Sequence, residues 1–180
     1  MLKKGIQFLL GRKNVNLASV YPNAVPINQI DFSSESRLGW CYGDLGIAST
    51  LWKIYKNTGD ENLKKEALLT FDKTLPRRAN SSSEVKDACF CHGTSGIAHI
   101  YNKIYQDTGN IEYKKAALFW LDKTLDWACS HDSISGYKTW FGSTGWTSQA
   151  NVLEGSSGIG LSLVGFLSKD EPKWDKVFLL

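Results

Sequence analysis

Apolar residues recur along this chain at helical spacing, in paired segments separated by a short polar break. Ile47, Leu51, Ile54 and Tyr55 predict a helix from about Asp44 to Asn57. Thr58-Gly59 ends it, because glycine readily takes the left-handed conformation that closes helices, and Asp60 stands where it can cap the next one. That second helix carries Leu63, Ala67, Leu68, Phe71 and Leu75 on one face, puts Lys64, Lys65, Asp72 and Lys73 on the other, and stops at Pro76. The pattern then returns, with Gly109-Asn110 at the break and Tyr113, Ala117, Leu118, Leu121 and Leu125 on the apolar face. The first helix of each pair is apolar or small nearly all round, which predicts burial on most sides, whereas the second is amphipathic.

The two pairs are copies of one another. Residues 39–75 laid over 89–125 match without a gap at 18 of 37 positions. A third copy begins at Gly155-Ser156-Ser157-Gly158-Ile159-Gly160, 62 residues after Gly93. Such a period marks a repeat architecture. Buried inner helices backed by amphipathic outer ones describe an all-α fold, a partial α/α toroid of about three hairpin repeats. Residues 1–180 read as a single domain: 1–38 a lead-in helix and loop, 39–88 repeat 1, 89–154 repeat 2 with a long loop, and 155–180 repeat 3 and the C-terminus.

Chemistry enters at the repeat starts. Cys41 lies in Trp40-Cys41-Tyr42-Gly43-Asp44-Leu45-Gly46-Ile47-Ala48, and Cys91 fifty residues later in Cys91-His92-Gly93-Thr94-Ser95-Gly96-Ile97-Ala98. In the third copy Leu153 takes the cysteine's place and Glu154 precedes Gly155. Cys41, Cys91 and His92 are three good ligands for one Zn²⁺, and three protein ligands leave a fourth position open, the layout of a catalytic rather than a closed structural site. Cys89 reads as a spare thiol and Cys129 as core. His99, inside a helix, reads as packed or hydrogen-bonded, and His131 as solvated. The glycine pairs do not make a dinucleotide loop, since no strand precedes them.

These motifs carry a family resemblance. Trp40-Cys41-Tyr42-Gly43, Cys91-His92-Gly93 and Gly155-Ser156-Ser157-Gly158-Ile159-Gly160-Leu161 resemble the C-terminal half of lanthionine synthetase C, the lantibiotic cyclase. Arg37-Leu38-Gly39 before the first motif, and the ending from Pro172 to Leu180, are similar to that family as well. The resemblance covers roughly residues 30–180. It implies an α/α toroid and a zinc-dependent cyclase. A zinc-bound substrate cysteine would add to a dehydrated serine or threonine of a precursor peptide, making a thioether ring. It assigns Cys41, Cys91 and His92 as the zinc ligands and places Arg37 and Tyr42 at active-site positions near the metal. Family members are about twice as long, and their N-terminal half adds helices, a histidine and an aspartate used in proton transfer. This chain has roughly thirty residues before its first motif and reads as a fragment of the family.

Composition narrows the setting. The net charge of +3 is too small to argue for nucleic-acid binding. Four cysteines in 180 residues do not make a disulfide scaffold, and their motif context favours reduced thiols and metal in the cytoplasm. No apolar run is long enough to span a membrane. The N-terminal stretch ending in Arg12-Lys13 lacks a small-residue cleavage site, so it reads as an amphipathic helix rather than a signal. Residues 14–39 and Pro76 to Phe90 read as connecting loops. Residues 130–154 form a long aromatic loop with Tyr137, Trp140, Phe141 and Trp146, predicted to pair as a short hairpin and either to cover the metal face or to cap core.

Three functions fit the residues: a cyclase acting on a dehydrated precursor peptide; a non-catalytic zinc module that binds a peptide or partner enzyme; and an enzyme adding glutathione or another small thiol to dehydroamino acids. Three hairpins cannot close a toroid, and an open one exposes apolar edges. Self-association, a separate N-terminal half, or a partner dehydratase are the expected associations.

Overall fold

The glycine breaks and polar caps read from the sequence form as expected. In the computed structural model, which describes residues 2–29, 32–133, 135–168 and 171–180, α1 spans Leu2–Leu10, α2 Asp44–Thr58, α3 Glu61–Thr74, and a single turn, α4, Asn80–Ser83. Beyond it come α5 (Thr94–Thr108), α6 (Ile111–Asp126) and α7 (Ser156–Leu167). Gly59 and Gly109 end α2 and α5 at φ 73° and 69°, and each donates its N–H to the carbonyl of Tyr55 or Tyr105. The Asp60 carboxylate accepts from the N–H of Asn62, and the Asn110 side chain from that of Glu112, both at 3.0 Å.

Each hairpin packs helix on helix, α2 on α3 and α5 on α6, while α5 also packs on α7 and touches α2. The central position of α5 explains its composition: its first eight residues, Thr94 to Tyr101, are all buried. Phe71, Phe90, Ile97, Ile100, Tyr101, Tyr113 and Trp120 share one core cluster, and full burial of each large apolar side chain stabilises the fold by about 1.5–3 kcal/mol. A second cluster forms where Ile6, Leu9 and Leu10 of α1 meet Leu51, Leu63 and Ala67. The amphipathic N-terminal helix therefore covers the first hairpin.

The apolar face of α3 is the one read from the sequence, with Leu63, Ala67 and Phe71 buried, whereas α6 buries Tyr113 and Ala117 but turns two of the expected leucines outward. Leu118 and Leu125 are 45% and 54% exposed, while Thr70, Thr74 and Thr124 are buried. Threonine enters the core because its hydroxyl is satisfied there: Thr74 Oγ1 bonds the Phe71 carbonyl and Tyr101 Oη at 2.7 Å, and Thr124 Oγ1 donates at 2.8 Å to Thr94 Oγ1 or to the Trp120 carbonyl. Cys129 is exposed, not core, because α6 ends at Asp126 and the chain leaves the helix bundle before reaching it.

Two connecting segments are more ordered than their composition implies. Asp44 at the start of α2 is fully buried; it accepts from the N–H groups of Val20 and Tyr21 and pairs with Arg77 at 3.0 Å. Arg77 also donates to the carbonyls of Ser36 and Ser82. One ion pair thus pins the lead-in loop and the loop after α3 to the first motif. The aromatic loop forms the expected hairpin, β1 (Thr139–Trp140) against β2 (Trp146–Thr147), with Trp140 opposite Trp146. The C-terminal segment is fastened to α5 by His99, whose Nε2 lies 2.9 Å from Asp175 Oδ2, and Trp174 packs on the His99 ring.

Candidate metal centre

The three repeat starts are strung together by backbone. Trp40 N–H donates to the Cys91 carbonyl at 2.8 Å, and Cys91 N–H donates to the Leu153 carbonyl at 2.7 Å. Leu153, which holds the cysteine's place in the third copy, contributes a main-chain acceptor instead of a thiol. Each motif loop folds back over the first turn of the helix it precedes. A Cβ at Gly46, Gly96 or Gly158 would meet the carbonyl oxygen of Trp40, Phe90 or Val152 at 2.1, 1.8 and 1.8 Å. Glycine is required because the backbone itself occupies the space of a side chain.

This folding brings Cys41, Cys91 and His92 together from two repeats: the sulfur and nitrogen donor atoms all lie within 4.8 Å of one another. Cys41 is exposed, His92 half-buried and Cys91 buried, so the group opens to solvent on one side. The two thiols titrate as a pair. Cys41 is pulled down to about 5, first by the hydrogen bond from Cys91, then by His92 and the charge of Arg37, against the opposing effect of burial. Cys91 is pushed up by that same hydrogen bond, by burial, and by the negative charges around it, Glu154 among them. Donor type and proximity both fit Zn²⁺, which takes cysteine sulfur and histidine nitrogen at about 2.0–2.3 Å. Cys41, Cys91 and His92 are the residues that could hold it.

Arg37 and Tyr42 flank Cys41. The guanidinium lies over the Tyr42 ring, 4.8 Å from its centroid. Beside them is an open cleft of about 290 Å³, lined by Leu9, Trp40, Cys41, Tyr42, Ile47 and Phe178 among others, at the small end of the range for ligand sites. A tighter cavity of about 180 Å³ lies near the C-terminal ends of α2 and α5, bordered by Trp52, Lys56, Lys103 and Asp107. It includes none of the cysteines, and its chemistry is that of a paired surface: Asp107 accepts from Trp52 Nε1 at 2.5 Å and Lys56 at 2.9 Å.

Sequence reading passed over Asp87. Asp87, Cys89 and His92 form a second group with donor atoms within 4.8 Å. Asp87 is buried, and its oxygens accept from Cys89 N–H at 3.0 Å and Trp140 N–H at 2.9 Å. Burial first, then the Asp87 charge, push the Cys89 thiol up. A lone aspartate in a loop gives no signal by spacing; only its place behind His92 does. His99 is the buried, hydrogen-bonded histidine its helix position implied, and His131 is exposed.

Among the described residues, no helix is long and apolar enough to cross a membrane. No curated protein matches the chain. The sequence model described as lanthionine synthetase C-like protein matches residues 3–179. With its paired helices and a cysteine–histidine group at the repeat starts, the chain belongs to the lanthionine synthetase C-like family.

Proposed function

We propose that this chain is a zinc-dependent cyclase domain that joins a peptide cysteine to a dehydroamino acid of a dehydrated precursor peptide, forming a thioether ring. The observation that carries this reading is the convergence of Cys41, Cys91 and His92 within 4.8 Å at an open edge. Zinc held there supplies the Lewis acidity that keeps a peptide thiol ionised near neutral pH. As thiolates, Cys41 and Cys91 would bring two negative charges that offset the ion's own, so that a substrate sulfur beside them would stay nucleophilic. As the new carbon–sulfur bond forms at the β-carbon of the acceptor, the alkene electrons move toward the adjacent carbonyl, and a proton then goes to the α-carbon. Arg37 is the positive group for the developing oxyanion and the Tyr42 phenol the nearby donor; both stand beside Cys41.

The same reading places the three repeats within an α/α toroid in the cytoplasm, where thiols stay reduced, as one domain divided at residues 39, 89 and 155. It implies one zinc per chain and a dehydratase that removes water from serine or threonine of the precursor. It also implies a closing surface, either a separate N-terminal half or a second copy. Zinc content of the purified chain and of Cys41→Ala and Cys91→Ala is the first test. About one zinc per chain, lost in both variants, is expected; a folded wild-type chain without zinc counts against the reading. Thioether formation on a dehydrated peptide, abolished in Cys91→Ala, tests the chemistry. Free glutathione outrunning peptide cysteine would instead favour a small-thiol transferase.

A further inference from the structure

We propose that Asp87 is a positioning residue of the Cys41–Cys91–His92 centre, shaping the loop from Cys89 to His92 so that Cys91 and His92 aim at one point; this rests on the metal reading above.

Three observations meet at this side chain. Its two oxygens divide their work, Oδ1 accepting from Cys89 N–H and Oδ2 from Trp140 N–H. Its own carbonyl accepts from Thr94 N–H at 3.0 Å, at the first residue of α5. Asp87 therefore grips both ends of the segment that carries Cys91 and His92, and joins it to the tryptophan hairpin. The carboxylate is 1% exposed, and no lysine or arginine pairs with it among the described residues, so backbone N–H groups supply its compensation. The carboxylate also lies within 4.8 Å of a His92 ring nitrogen, so the loop it fixes is the one that carries the imidazole. The group it would form with Cys89 and His92 has two buried members and no exposed one, so it lacks the solvent-facing ligand that Cys41 gives the other group.

Asp87→Asn keeps the shape but turns one acceptor into an NH₂ group facing a backbone N–H. The test is metal affinity of the purified chain by competition with a chelator, with absorption of the cobalt-substituted protein as a second readout. Asp87→Asn is expected to bind about 10–100-fold more weakly. It should retain the two-thiolate charge-transfer band but shift the ligand-field bands, because the ligands stay and their geometry changes. Cys89→Ala is expected to bind as wild type. Unchanged affinity and spectrum in Asp87→Asn would overturn the proposal. So would loss of metal in Cys89→Ala as complete as in Cys41→Ala, which would make the Asp87–Cys89 side of the loop part of the ligand set rather than its support. Should Asp87→Asn not fold, Asp87→Glu decides on the same criterion. A wild-type chain that takes neither zinc nor cobalt rejects the underlying metal reading, an outcome distinct from failure of Asp87 alone.

Discussion

At Gly96 a methyl group would sit 1.8 Å from the Phe90 carbonyl oxygen, and at Gly160 it would meet nothing within 4 Å. The two glycines occupy neighbouring turns of similar motifs yet answer to different forces. Gly96→Ala must move the backbone that carries Cys91 and His92, so a loss of about 3 kcal/mol in urea unfolding is expected, together with reduced zinc content. Gly160→Ala should instead stabilise by up to about 1 kcal/mol, the helix preference of alanine over glycine. Equal effects at the two sites would show that the first turn of α5 is not held against its loop. Asp44 is the other residue of consequence. Removing it by Asp44→Ala leaves Arg77 buried without its partner, and a loss of about 3–5 kcal/mol is expected. Thermal or urea unfolding checks this, and Asp44→Ala/Arg77→Met should recover only the part due to the unpaired charge, because the N–H groups of Val20 and Tyr21 stay without their acceptor.

Among elements, the C-terminal turn from Trp174 to Phe178 is held by few but buried contacts. Phe90 meets both Trp174 and Phe178, Trp40 Nε1 donates to the Phe178 carbonyl at 2.8 Å, and Asp175 bonds His99. Burial pushes the Asp175 carboxyl up, but the His99 hydrogen bond and the Lys103 charge outweigh it and hold the net value below the usual range. A carboxyl depressed in the folded state stabilises fully above its unfolded value of about 3.9, and that contribution vanishes as pH falls through the folded value. Acid should therefore loosen this turn. Trp174 fluorescence, taken as the difference from Trp174→Phe, is expected to change below about pH 4, and Asp175→Asn to remove that step. The outer helices show how much of an element was legible beforehand. Their existence, caps and ends followed from spacing and from Gly59, Asp60, Gly109 and Asn110. The orientation of α3 followed too, but that of α6 only in part, because hydropathy cannot rank Thr124, whose hydroxyl is satisfied by α5, above Leu125, which faces water.

For the molecule as a whole, the first hairpin is covered by α1, whereas α7 has no amphipathic partner of its own among the described residues. Val164 and Leu167 on α7 are 59% and 86% exposed, and Val177 nearby in sequence 75%. Val164 and Leu167 stand one turn apart on α7, where a closing partner of the proposed toroid would cover them. The reading of a partial toroid therefore predicts concentration-dependent association in sedimentation velocity, weakened by Leu167→Lys and Val164→Glu together. A chain that sediments as a monomer at high concentration, with or without these changes, would remove the need for a closing partner.

The sequence alone determined the helical hairpins, their repetition at fifty residues, and which cysteines and histidine could meet at the repeat starts, because periodicity, caps and ligand type are local properties of a chain. Only the tertiary structure decided what those pieces do to each other. It placed Leu153 as the backbone acceptor that continues the row of motif loops, and made a buried ion pair of Asp44 and Arg77, thirty-three residues apart. It also set Asp87 behind His92. Each of these depends on partners distant in sequence and on groups that carry no spacing signal: a main-chain carbonyl, a lone loop aspartate, a buried arginine. Their roles follow from which polar atoms lose water together, a property of the folded chain.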